Sequence, residues 1–106
     1  MFKIDPDPKF WAEVKVRAPG GGDASFKARF RVRNIDDFNG FDTDSPEATG
    51  RFLGETIVDL DDIEGEDGRA AAFSTELLRR LIGMPHVRAA LYRAYVNAIA
   101  EAARGN

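Results

Sequence analysis

From Phe26 to Arg33 the chain alternates without a break: Phe26, Ala28, Phe30 and Val32 are apolar, and Lys27, Arg29, Arg31 and Arg33 are cationic. A period of two is that of a β-strand with one dry face, and a helix would scatter these two sets around its circumference. The pattern places the apolar residues on a core face and turns the four cations to water or to an acidic partner. A weaker alternation precedes it, with Phe10, Ala12, Val14 and Val16 against Trp11, Glu13, Lys15 and Arg17. Ala18 to Ser25, with three consecutive glycines, is too flexible to belong to either strand. The two runs are therefore expected to form an antiparallel hairpin over residues 10–33 with a long, mobile connection.

The rest of the chain reads mainly as helix. Asn34 to Phe38 begins a short helix that Asn39-Gly40 breaks, followed by a loop to Thr43. Asp44-Ser45-Pro46-Glu47 combines a capping side chain, a proline in the first turn and an acid at the positive end of the helix dipole. Phe52, Leu53, Thr56, Ile57 and Leu60 then recur at helical spacing, at the expense of Gly50 and Gly54. Asp59 to Gly68 holds six acids and two glycines and is expected to be an exposed loop, with Asp67-Gly68 turning into a short extended piece, Arg69 to Phe73. Ser74 caps a helix over Thr75 to Ile82 that Gly83 ends, and Met84-Pro85 starts a final helix from His86 to Arg104. The expectation is an α+β domain covering residues 1–106: the hairpin, an acidic helix and loop over 44–68, and C-terminal helices over 74–104.

On the final helix His86, Arg93, Asn97, Glu101 and Arg104 fall within roughly 80° of one another at about 100° per residue. Val87, Leu91, Tyr92, Tyr95, Val96, Ala98, Ile99 and Ala102 spread over roughly 200° of the opposite side, twice the roughly 100° that one packing contact uses. Either two elements of the same domain cover this helix, or a second chain completes it. Arg88 sits in the middle of that apolar arc, either snorkelling or stacked on Tyr92, or serving as an interface anchor beside Tyr92 and Tyr95.

Charge is segregated along the chain: residues 1–33 carry eight Lys/Arg against four Asp/Glu, residues 34–68 one against twelve, and residues 69–106 six against two. The basic and acidic blocks either neutralise one another within the domain or make a two-faced surface for self-assembly or a charged partner. Nucleic acid is a poor fit, because the net charge is −3 and the strand aromatics face away from the arginines. No apolar run approaches the roughly 20 residues of a membrane span, and the first eight residues lack the apolar stretch of a signal peptide, so a soluble, unexported protein is expected.

The residues for chemistry are sparse. There is no cysteine and one histidine, His86, which removes thiolate chemistry and multi-histidine metal sites. Ser45 and Ser74 are explained as helix caps and Ser25 lies in the glycine-rich turn, so no hydrolytic triad is assembled. In the acid-rich stretch from Asp59 to Asp67 the spacing fails the helix–loop–helix calcium pattern in either register, and Gly20-Gly21-Gly22 is not followed by the Gly-Lys-Ser/Thr of a phosphate loop. A non-enzymatic protein without metal or cofactor is expected.

The order of short motifs does carry a likeness. Phe10-Trp11-Ala12-Glu13-Val14-Lys15-Val16, Pro19-Gly20-Gly21, Phe26 and Phe30, Phe52-Leu53 before Ile57-Val58-Asp59-Leu60, Asp67-Gly68, Phe73-Ser74 with Glu76-Leu77-Leu78, Met84-Pro85 and an alanine-rich last helix with Tyr92 and Tyr95 span nearly the whole chain. Together they resemble the tail assembly chaperones of long-tailed bacteriophages. The resemblance implies a protein of the host cytoplasm, made between the tail-tube and tape-measure genes and absent from the mature virion. It would bind the tape-measure protein, keep its long helices soluble and help recruit tail-tube protein. The end Ala103-Arg104-Gly105-Asn106 would then be the short form of a frameshifted pair. A homo-oligomer is compatible with this reading, and a structural tail-completion or connector component is the alternative. Tyr92, Tyr95, Val96 and Ile99, with Arg88, are the expected protein contacts, and Arg29, Arg31 and Arg33 the expected charged surface.

Overall fold

The computed structural model describes residues 1–34, 36 and 45–105. Strands β1 (Lys9–Arg17) and β2 (Asp23–Arg31) form the N-terminal antiparallel hairpin, with Phe10 opposite Phe30, Ala12 opposite Ala28 and Val14 opposite Phe26. Helix α1 (Pro46–Thr56), strand β3 (Ile57–Asp61), helix α2 (Thr75–Ile82) and the long C-terminal helix α3 (Pro85–Ala103) follow. The class is the α+β that the alternation predicts, with one strand more than the sequence disclosed. The segment from Ile35 to Asp44, apart from Asp36, lies outside the described residues, and with it most of the short helix and the loop expected there.

The hairpin turn is tighter than its composition suggests. Ala18 N–H bonds Gly22 O at 3.1 Å and Gly21 N–H bonds Ala18 O at 3.0 Å, so Asp23, Ala24 and Ser25 join β2 instead of the turn. Gly20, Gly21 and Gly22 all have left-handed backbone, with φ of 88°, 108° and 89°, which is why three glycines stand in a row. The other end also differs: β2 stops at Arg31 and Val32, expected on the core face, is 40% exposed.

Strand β3 pairs antiparallel with β2, giving the order β1-β2-β3. The helical spacing of Ile57 and Leu60 suggests that α1 continues through them; it ends at Thr56. A bulge explains the illusion. Phe30 faces Ile57 and the next residue back, Arg29, faces Asp59, so Val58 is an extra residue on β3. The extra residue shifts the phase of the strand by one, which puts Ile57 and Leu60, three apart, on the same buried face. Asp59 and Asp61, expected in the acidic loop, are strand residues opposite Arg29 and Lys27.

The helices start where their side chains allow. Ser45 Oγ accepts the Ala48 N–H at 3.2 Å with Pro46 in the first turn, and Ser74 Oγ accepts the Leu77 N–H at 3.0 Å. Gly50 has a packing reason, since a Cβ there would lie 3.3 Å from Ile82 Cγ2 where α1 passes α2. Gly54 has none, as a Cβ would meet nothing within 4 Å.

The core lies between one face of the sheet and the three helices. Val14, Phe26, Ala28 and Phe30 of the hairpin meet Phe52 and Leu53 of α1, Ile57 and Leu60 of β3, Leu78 of α2, and Val87, Ala90, Leu91 and Tyr95 of α3. Burying each large apolar side chain contributes about 1.5–3 kcal/mol. The wide apolar arc of α3 is thereby served largely within the chain. Tyr95 packs on Phe10 and Phe30 of the sheet, at 5.9 and 5.6 Å between ring centres, and on Phe52 of α1 at 5.3 Å.

The two α1 glycines separate a packing requirement from a propensity cost. Gly54→Ala is expected to stabilise by about 0.5–1 kcal/mol in urea denaturation, since it gains helix propensity in open space. Gly50→Ala is expected to gain less or to destabilise, because its methyl group presses on Ile82.

Candidate protein-binding surface

The residues singled out by sequence divide into those the fold consumes and those it leaves presented. Tyr95, expected to touch a second chain, is 2% exposed and sits at the centre of its own core. Its hydroxyl accepts the backbone N–H of Arg33 at 3.0 Å, which joins α3 to the end of the hairpin. A tyrosine can sit so deep because the N–H satisfies its one polar atom. Arg33, expected on a free charged surface, is a clasp instead. Its guanidinium donates to Thr56 Oγ1 at 3.2 Å, lies 3.5 Å from the Glu55 carboxylate and sits 5.7 Å from the Phe52 ring centre. Thr56 is fully buried, so this bond satisfies a hydroxyl in the core.

Arg88 is likewise engaged. Its Nη1 donates to Ile82 O at 3.1 Å, at the C-terminal end of α2 where the helix dipole favours a cation. The Glu47 carboxyl is held below the usual carboxylate range by its own backbone N–H and by Ser45, with Arg51 and Arg88 adding their charge.

The basic face of the hairpin meets acids of the middle block. Across the outer face of the sheet the register sets Trp11, Arg29 and Asp59 in one row and Glu13, Lys27 and Asp61 in the next. Glu66 pairs with Arg80 at 2.7 Å, joining the acidic block to the C-terminal basic one. Arg31 stays exposed opposite Lys9. Asp7 bonds Lys9 at 3.0 Å, and this bond, followed by the charges of Lys9 and Arg31, holds its carboxyl below the usual range. Arg29 is half-buried, and its Nε has no hydrogen-bond partner among the described residues.

Two surfaces remain for a partner among the described residues. One is the margin of α3 made by Tyr92, Val96 and Ile99, which pack against the core yet stay half-buried. Tyr92 lies edge-on to Phe52 at 6.1 Å, and burial, then the neighbouring Tyr95, pushes its hydroxyl above the usual tyrosine range.

The other surface is the open edge of β1, which sequence reasoning did not single out. Val32 N–H bonds Pro8 O at 2.9 Å and Ala18 N–H bonds Gly22 O, so the even residues of β1 turn their backbone groups toward β2. The N–H and C=O of Trp11, Glu13, Lys15 and Arg17 therefore point away from the sheet. Between this edge and α3 runs a groove of about 510 Å³, lined by Trp11, Glu13 and Lys15 on one side and Arg93, Asn97 and Glu101 on the other, with Ala94 and Ala98 beneath. Trp11, the only tryptophan, is 46% exposed there. Its place on the polar side of an alternating strand is the available signal.

Among the described residues no group of three or more His, Asp or Glu side chains converges as a metal site, and no helix is long and apolar enough to cross a membrane.

Tyr92 gives the surface a pH signature. With its hydroxyl raised above about 10, the stability it lends is fully present below pH about 10 and is lost as pH rises through the raised value. Tyr92→Phe is expected to flatten the alkaline fall in the urea midpoint, and equal slopes in both proteins would contradict this. No family model, curated protein or solved structure matches this chain.

Proposed function

We propose that this protein is a non-enzymatic assembly chaperone of a phage or prophage tail, acting in the bacterial cytoplasm and absent from the finished virion. The reading rests on the ordered motifs that resemble that family. The structural observation that carries it is the α3 margin. After the sheet and α1 have taken Leu91 and Tyr95, the side chains of Val96 and Ile99 remain half-buried beside Tyr92. A helix-sized apolar strip of this kind is what an amphipathic partner helix docks on, through residues spaced three and four apart. The tape-measure protein, a long helical chain that must be kept soluble before it is enclosed, is the proposed partner, with tail-tube protein recruited to the same complex.

Co-expression with a long coiled-coil-rich tape-measure protein from a neighbouring gene, which the proposal requires, tests it. The partner's soluble yield is expected to rise and the two proteins to co-purify. Val96→Glu and Ile99→Glu, each placing a charge on the strip, are expected to abolish both effects while leaving the circular dichroism spectrum unchanged. An unchanged yield without co-purification overturns the proposal, and recovery of the chain from purified virions overturns it in favour of a structural tail component.

A further inference from the structure

We propose that β1 is the seam of a twofold dimer, in which the open edges of two copies pair antiparallel about Val14 and merge two three-stranded sheets into one of six strands. This inference is independent of the proposed function, because Tyr92, Val96 and Ile99 lie about 100° or more around α3 from Asn97 in the groove.

The backbone permits only certain registers. Odd residues of β1 carry the outward N–H and C=O groups, so an odd residue must face an odd residue of the second copy. Centring the pair on Val14 obeys this rule and places Glu13 opposite Lys15, and Lys15 opposite Glu13, at the two hydrogen-bonded positions flanking the axis. Trp11 then faces Arg17, an aromatic ring against a guanidinium, on each side. A centre on Glu13 sets Glu13 against itself and Lys9 against Arg17. A centre on Ala12 sets Lys9 against Lys15, and one on Lys15 or Val16 brings cation against cation. A centre on Trp11 avoids like charges but pairs only Lys9 to Glu13 of each strand, whereas the Val14 centre pairs Trp11 to Arg17.

In the single chain these charges meet only at the surface, with the Arg17 Nε 3.4 Å from Asp23 Oδ1 and both side chains exposed. Glu13 and Lys15 lie 3.9 Å apart along one strand, with both side chains largely exposed. On the inner face the axis passes Val14, which the single chain already buries, and the half-buried Ala12 is set against Val16 on each side, continuing the apolar side of the sheet. Beneath the seam, α3 presents the methyl groups of Ala94 and Ala98 to the groove, and small side chains let helices approach to about 8 Å.

Sedimentation velocity across a concentration series, with Trp11 emission as a second readout, tests the pairing. The wild-type protein is expected to shift from monomer to dimer as concentration rises, with emission moving to the blue. Glu13→Lys and Lys15→Glu are each expected to weaken self-association by about tenfold or more, because both flanking pairs become repulsive. Mixed together, the two single variants are expected to pair, since both flanking positions then bring two lysines of one copy against two glutamates of the other. The double variant is expected to dimerise as the wild type does, because exchanging the two charges within each strand restores both flanking pairs. The Trp11-centred register does not allow this, as Glu13→Lys would there set a second lysine against Lys9. Lys15→Pro removes one outward N–H without touching a bond to β2 and is expected to stay folded and monomeric. A wild-type protein that is monomeric at every concentration overturns the proposal, as do folded single variants that dimerise undiminished or a mixture that fails to pair.

Discussion

One hydrogen bond between Tyr95 and the backbone of Arg33 lies where three parts of the molecule meet. The ring is wedged between Phe10 and Phe30 of the sheet and Phe52 of α1, while the hydroxyl reaches the residue at which the chain leaves the hairpin. The same Arg33 sends its side chain to Thr56 and Glu55 at the end of α1. The sheet, the first helix and the last helix are thus tied within a few ångströms. The bond on its own is worth about 1 kcal/mol; its importance lies in orienting the aromatic packing, which is worth several times more.

Electrostatics follows from that arrangement. The three charge blocks of the sequence are neighbours in space, because β3 brings Asp59 and Asp61 opposite the arginine and lysine of β2. Most of these groups are partly exposed, so each pair contributes a fraction of a kcal/mol, and their larger effect is on which surfaces attract. With acids of β3 set opposite Lys27 and Arg29, β1 is the open edge on which charges of both signs stand beside the tryptophan.

How much of this was legible in the sequence can be traced residue by residue. The unbroken alternation of Phe26 to Arg31 gave the central strand because each position reports its own face. Ser74 and Gly83 bounded α2 because caps act through local backbone bonds. The third strand was hidden, since a bulge at Val58 converts strand spacing into an apparent helical one. The fates of Tyr95 and Arg33 were hidden for another reason. Tyrosine and arginine are amphipathic, and their burial is decided by partners far away in sequence, Phe10, Phe30 and Phe52 for the Tyr95 ring and Thr56 and Glu55 for the Arg33 side chain, which no local pattern encodes. Of the proposed contact strip, Val96 and Ile99 were visible from their place on the helix, whereas the open edge of β1 depends on which neighbour each strand lacks.

The bulge on β3 has a consequence for how this segment can change. Val58 takes up a step of the chain without taking a partner on β2, so its contribution is one of length. Removing it would leave Ile57 opposite Phe30, Asp59 opposite Arg29 and Leu60 opposite Ala28 in an unbroken alternation, so the step can be lost without turning Asp59 or Asp61 toward the hydrophobic interior. What holds this stretch is the pairing of its two inward residues with Phe30 and Ala28, and the count of residues between them is the freer quantity.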